Sequence, residues 1–216
     1  MSSYAIISDV HGNLCALESI WNELERRKLT NRTVFNAGDT VAYGKESADC
    51  IEFIRASSVI VSVGGNYDYN VARFPDEQTT FERKWNLKRP EKFSSLRDAS
   101  EQISEHQRTW LSELPELLEF TIEYKSISLS HYSPIGRKIG IGAWTPDDVL
   151  QSIADSCSYD VIITGHTHSP FVRQITETVF INPGTVGRSW GRPSFAILTI
   201  SDGIVSSEVI TCNEPQ

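Results

Sequence analysis

Five short stretches of the chain carry residue types that bind divalent metal ions. They are "DVH" at 9–11, "GD" at 38–39, "GNYD" at 65–68, His131, and "GHTH" at 165–168. The candidate ligands are Asp9, His11, Asp39, Asn66, His131, His166 and His168. Imidazole and carboxylate together suit borderline ions such as Mn²⁺, Fe²⁺ or Zn²⁺. These seven side chains are more than one ion needs, so a two-ion site is expected. Two divalent ions held close together can lower the pKa of a bound water and clamp the oxygens of an in-line displacement. Four of the five histidines fall in these stretches, and His106 lies apart in a helical stretch. Singly each stretch is weak, because Asp and Gly after a strand more often make a turn. Specificity comes from the ordered set.

Each stretch follows a short apolar run that reads as a buried strand. The runs are "YAIIS" (4–8), "TVFNA" (33–37), "VIVSV" (59–63), residues 127–130, and "DVIIT" (160–164). In α/β sheets the binding site forms beyond the carboxyl ends of the strands, so these residues can converge. Leu14, Leu17, Ile20, Trp21 and Leu24 recur at helical spacing after the first run, and Cys50, Ile51 and Ile54 after the second. Strands alternating with helices predict parallel β-α-β units. Residues 70–115 break this rhythm. The stretch from Arg73 is polar and interrupted by Pro75 and Pro90, and Leu96, Ala99, Ile103, Trp110 and Leu114 then predict one or two helices. A small helical cap, inserted into a single domain spanning 1–216, is expected there.

The second half reads mostly as strands. Leu118, Phe120, Ile122 and Tyr124 alternate, as do Ile127 and Leu129, which puts a hairpin turn at Lys125–Ser126. "TPDDVLQSIA" predicts a helix with Thr145 as N-cap and Pro146 at its first position. Four short strands follow, "PFVRQI", "TVFI", "SFAILTI" and "GIVSSEVI".

With 216 residues the chain needs no covalent staples to build a core. A net charge of -8 disfavours a general nucleic-acid binder. A phosphate ester still fits an acidic protein whose metal ions supply local positive charge. Cys15, Cys50, Cys157 and Cys212 are widely spaced, which predicts free thiols in a reducing compartment. The start "MSSYAIISDV" lacks the regions of a signal peptide, and no apolar run is long enough for a membrane span. A cytoplasmic protein is expected, acting on a small molecule.

The ordered motifs resemble the calcineurin-like metallophosphoesterase superfamily, whose signature runs D-x-H, G-D, G-N-H-[D/E], a single His, and G-H-x-H. "INPGTVGR" (181–188) is similar to the "INPGS" turn of the small bacterial and archaeal, phosphodiesterase-type members. The resemblance implies a four-layer α/β/β/α sandwich. It implies one ion on Asp9, His11, Asp39 and His168, and a second on Asp39, Asn66, His131 and His166, with Asp39 bridging. Mn²⁺ is the foremost candidate, with Fe, Zn, Ni or Co as alternatives. Asn66 and His131 are expected to contact phosphate as well as metal. Tyr67 departs from the family, which mostly has His there to protonate the leaving oxygen. A phenol has a pKa of about 10, so it is a poorer acid near neutrality. Tyr67 either takes that role weakly or packs beside the pocket, and Asp68 reads as structural. Tyr132 stands where relatives often have Gly, and would narrow the pocket or stack on a substrate ring.

A phosphodiesterase is therefore expected. The alternatives are a phosphomonoesterase acting on phosphoproteins or nucleotides, and a non-catalytic protein-binding scaffold. The basic residues Lys84, Lys88 and Arg89 read first as a solvated face and second as a surface that steers anions. Arg188 and Arg192 read as solvated and stay outside the expected site.

Overall fold

The computed structural model describes residues 2–136, 139–188 and 192–212. Residues 1, 137–138, 189–191 and 213–216 of the expected 1–216 domain lie outside the described residues. The first sheet holds β1 (Ser2–Ile7), β2 (Val34–Asn36), β3 (Ile60–Ser62), β9 (Ser194–Ser201) and β10 (Ile204–Thr211), in the order β10-β9-β1-β2-β3. The second holds β4 (Leu117–Ile122), β5 (Lys125–Ser130), β6 (Val161–Ile163), β7 (Phe171–Ile175) and β8 (Thr178–Asn182), in the order β4-β5-β6-β8-β7. Strands β1, β2 and β3 run parallel, as do β5, β6 and β8, and antiparallel strands flank both sets. The ligand-bearing strands are therefore the parallel ones, and their carboxyl ends point the same way within each sheet.

Side-chain alternation builds the layers. Tyr4 and Ile6 of β1, Phe35 of β2, and Ala196 and Leu198 of β9 meet Ile127, Val161, Ile163 and Ile181 in one core between the sheets. The alternate residues Ala5, Ile7, Val34, Phe195 and Ile197 pack outward on Leu17, Ile20 and Leu24 of α1 (Leu14–Arg26) and on Cys50 and Ile54 of α2 (Ser47–Ala56). Ile162 and Phe180 turn outward from the second sheet onto Leu150 and Ile153 of α7 (Asp147–Ser156). This gives the expected α/β/β/α order. Helix α1 starts where the Asn13 side chain accepts the Ala16 N–H at 3.0 Å. No described helix is long and apolar enough to cross a membrane.

Residues 66–113 form four helices: α3 (Asn66–Ala72), α4 (Phe74–Trp85), α5 (Pro90–Gln102) and α6 (Glu105–Glu113). The polar stretch around Arg73 is thus helical, where the sequence predicted interruption. Pro75 and Pro90 lie in the first turns of α4 and α5, where a missing N–H costs nothing, so both start helices instead of breaking them. Phe74, Phe81, Phe93, Leu96 and Leu111 bury this group against Tyr67 and Val71 of α3.

Two other boundaries shift. The hairpin turn is Glu123–Tyr124, both at positive φ, with Ile122 paired to Lys125. A two-residue turn of that kind matches the twist of the strands it joins, and it leaves Tyr124 exposed. Helix α7 begins at Asp147, because the Thr145 hydroxyl turns back to accept the Gly142 N–H and caps nothing.

Phe35 sits at the middle of the inter-sheet core, with ring centroids 6.0 Å from Tyr4 and 5.2 Å from Phe120. Phe35→Ala should cost about 3–5 kcal/mol of stability in urea unfolding. A loss below about 1 kcal/mol would contradict this packing.

Candidate metal centre

The loops after the parallel strands are zipped together by main-chain bonds. Asp9, His11 and Gly12 donate to the carbonyls of Gly38, Asp39 and Thr40 at 2.9, 3.0 and 2.9 Å, and Gly187 donates to Asp9 at 3.0 Å. Asp68 fastens the same region from below. Its carboxylate accepts the N–H groups of Asp39, Thr40, Val41 and Gly65 at 2.8, 2.9, 3.3 and 2.8 Å. Burial and the nearby Asp39 charge push Asp68 up to about 7, against the pull of these donors. A β-carbon on residue 65 would collide with the Asp39 carboxylate, so only glycine lets α3 start this close.

Within this frame Asp9, His11, Asp39, His166 and His168 all hold left-handed backbone, with φ between 50° and 66°. Such a conformation costs a non-glycine residue about 1–3 kcal/mol, and it concentrates where side chains must be aimed. The aim produces two clusters. Asp9, His11 and His168 offer donor atoms within 4.8 Å of one another, and so do Asp39, His131 and His166. All are buried except the two histidines of "GHTH", which are half-buried.

The ring nitrogens facing away from the clusters are fixed. Nδ1 of His131 is 2.7 Å from the Ala37 carbonyl, that of His11 is 3.3 Å from Val41, and that of His168 is 3.2 Å from Arg188. A carbonyl only accepts, so each Nδ1 carries a proton, and whenever the ring is neutral its Nε2 lone pair faces inward. Inward lie other lone pairs. Nε2 of His11 and His168 are 3.1 Å apart, His168 Nε2 is 3.1 Å from Asp9 Oδ1, and His131 Nε2 is 3.1 Å from Asp39 Oδ2. Asp9 Oδ1 and His131 Nε2 are buried without a hydrogen-bond partner. Lone pairs converging like this need a cation, and the backbone-carbonyl partner on Nδ1 is the arrangement that orients imidazole ligands. The residues fit divalent metal.

Electrostatics show that the pocket draws positive charge. Burial raises the Asp9 carboxyl, but its contacts with His11 and His168 hold it well below the usual carboxylate range. Burial lowers His131, yet the Asp39 charge outweighs that and carries it to about 9. Burial and the charge of His131 push His166 down to about 4, which leaves a neutral imidazole.

Of the remaining expected residues, Asn66 and Tyr67 line the same cleft as Asp39, His166 and His168. Asn66 Oδ1 accepts the Tyr132 hydroxyl at 2.9 Å, and the Tyr132 ring lies 4.3 Å from that of His166. Tyr132 therefore orients an expected ligand while narrowing the pocket. Tyr67 donates its N–H to Asp39 Oδ1 at 2.7 Å, sets its ring edge-on to His11, and pairs its hydroxyl with that of Tyr43. Burial, then that hydrogen bond, raises the Tyr67 phenol far above its ordinary value. Sequence reasoning missed Tyr43. It sits four residues after Asp39 in "GDTVAYG", at φ 67°, which no periodicity reveals. It also set aside Arg188, whose guanidinium stacks 3.5 Å over the Tyr43 ring. Residues 189–191, between Arg188 and Arg192, lie outside the described residues.

A model described as the calcineurin-like phosphoesterase superfamily domain matches residues 3–203. The chain belongs to the calcineurin-like phosphoesterase superfamily. This phosphoesterase is 30% identical over 189 residues to an uncharacterized protein of Methanocaldococcus jannaschii, covering 86% of this chain and 70% of that one. Its fold is similar to a hypothetical protein from Pyrococcus horikoshii, with a TM-score of 0.83 at 19% identity, over 99% of this chain and 88% of that one. A metallophosphoesterase from Sphaerobacter thermophilus gives a TM-score of 0.73 at 23% identity, over 97% and 88%. Calcineurin-like phosphoesterases are hydrolases that use divalent metals, and both clusters here offer the donors.

Asp39 is the only carboxylate of the second cluster. Asp39→Asn should lower the Mn²⁺ retained per chain after dialysis. Asp68→Asn should retain metal but lose at least about 1–3 kcal/mol of stability, because whichever oxygen becomes the amide nitrogen leaves two buried N–H groups without their acceptor. Wild-type metal content in Asp39→Asn would overturn the ligand assignment.

Proposed function

We propose that the protein is a dinuclear metal-dependent phosphodiesterase. Asp9, His11, Asp39 and His168 would hold one ion and Asp39, Asn66, His131 and His166 the other, with Asp39 shared. The carrying observation is the set of inward lone pairs locked by carbonyls on the far side of each ring. When bound, the ions supply charge for the phosphoryl oxygens and a water of lowered pKa. Mn²⁺ suits the mixed nitrogen and oxygen donors, with Fe, Zn, Ni or Co as alternatives. Free cysteines, two of them half-buried and Cys15 exposed, fit a reducing compartment such as the cytoplasm.

Two features favour diesters. Cavities of about 420 and 480 Å³ meet at Asn66 and Tyr132, which leaves room for an ester arm on either side of a phosphorus held there. Helices α3, α4 and α5 then serve as a cap over the second cavity. The other feature is Tyr67. Burial and Tyr43 keep its phenol protonated, so it orients through its hydroxyl but gives up a proton reluctantly. The leaving group must then carry most of the departing charge itself.

Aryl diesters such as bis(p-nitrophenyl) phosphate should turn over well and alkyl diesters poorly. Tyr67→His should help alkyl esters more than aryl ones, within the ~10²–10⁴-fold range of general-acid catalysis. Equal rates on both classes, unaltered in Tyr67→His, would remove Tyr67 from leaving-group chemistry and the diester assignment with it.

A further inference from the structure

The larger cavity is lined by more than the metal-facing residues. Helices α4 and α5 lean Lys84 and Lys92 over it, Arg89 joins them from the start of α5, and Arg188 reaches in from the loop after β8. The carboxylates among its described lining residues are two, and both are engaged. Asp39 lies on the floor beside His131, and Glu77 pairs with Arg73 at 3.4 Å.

Aromatic rings, not acids, hold these cations in place. Lys84 and Lys92 lie 4.8 and 4.6 Å from the centroid of Trp85, and Lys92 lies 4.5 Å from that of Tyr67. Arg188 lies over Tyr43. Trp85 is itself steadied by stacking on Phe81. A ring quadrupole fixes a cation's position without cancelling its charge. No salt bridge to Lys84, Arg89, Lys92 or Arg188 occurs among the described residues. Like charges gathered around the half-buried Lys92 repel one another, and an anion between them would relieve that repulsion. Cations gathered this closely without a carboxylate between them are costly to keep unless something negative binds there.

We propose that this cleft is a second anion subsite, so that the substrate is a small phosphate ester carrying further phosphate groups in a phosphoanhydride chain. It rests on the phosphodiesterase reading, because it assigns a chemical class to one arm of that substrate. The cavity, about 480 Å³, has the volume of a small-molecule site. The net charge of -8 weighs against a nucleic-acid strand following the same groove. The scissile phosphorus would sit over Asp39, Asn66 and His166, and the remaining phosphates under Lys92 and Arg188. Arginine offers the planar fork that grips phosphate oxygens, and lysine a point charge.

The test is anion binding by calorimetry at low salt, on full-length protein stripped of metal and dialysed free of chelator. Tripolyphosphate should bind at least about tenfold tighter than orthophosphate, since each added charged hydrogen bond contributes that much or more. The double variant Lys92→Gln/Arg188→Gln should lose about tenfold or more of the tripolyphosphate affinity. Arg26→Gln/Lys28→Gln changes net charge equally at the far end of α1, about 20 Å of helix away, and should change it less than about twofold. Adenosine triphosphate run alongside separates the two sources of the chain. Tighter ATP assigns nucleotides, tighter tripolyphosphate assigns base-free chains, and either supports the subsite. Equal affinity for orthophosphate and tripolyphosphate, or an equal loss in the remote variant, overturns it. No turnover is needed, so an inactive wild-type enzyme would fail the phosphodiesterase reading while leaving this readout intact. A wild-type protein that hydrolyses diesters yet binds tripolyphosphate no tighter than orthophosphate would remove the subsite alone.

Discussion

The site depends on three imidazole rings that cannot turn over. Backbone carbonyls of Ala37, Val41 and Arg188 take the Nδ1 protons of His131, His11 and His168, so the Nε2 lone pairs face Asp9, Asp39 and one another. Buried lone pairs about 3 Å apart are unfavourable unless a positive charge lies between them. Everything around them works to hold that unfavourable arrangement. The left-handed backbone at five ligand positions adds to the cost, and the inter-loop hydrogen bonds offset it. Without a cation such a pocket would relax by protonation, and the raised His131 marks where the proton would go.

The fold supplies rigidity at the right place. Parallel strands β1, β2 and β3 in one sheet and β5, β6 and β8 in the other bring their carboxyl ends to a common edge. The core between the sheets fixes the spacing of those ends, so the His131 loop of one sheet can bond to Ala37 of the other. Asp68 extends this control into α3. One carboxylate bonded to four N–H groups ties the start of that helix to the Asp39 loop, and so ties the helices above the cleft to the ligands below it.

Much of this was legible in the sequence, and for clear reasons. Asp9, His11, Asp39, His131, His166 and His168 stand out because ligand types after apolar runs are local signals, and strands alternating with helices predicted the parallel β-α-β units, while the four-layer order came from the resemblance to the superfamily. Nonlocal facts were hidden. Tyr43 meets Tyr67, and Tyr132 meets Asn66, only through packing between distant segments. Pro75 and Pro90 read as breaks because the same residue both ends and starts helices, and only the burial of Phe74, Phe81 and Phe93 decides which. The hairpin slipped because Tyr124 continues the alternation of β4 by type while its backbone belongs to the turn. Arg188 looked solvated because its ring partner is 145 positions away in the chain, from 43 to 188.

The most direct measurement is an anomalous-difference map from crystals grown with Mn²⁺. Two peaks should stand within one cleft, one among Asp9, His11 and His168 and the other among Asp39, His131 and His166, with density from Asp39 reaching both. A map with no peak there, and with the His11 and His168 rings turned so that their Nε2 atoms no longer face each other, would contradict a two-ion centre.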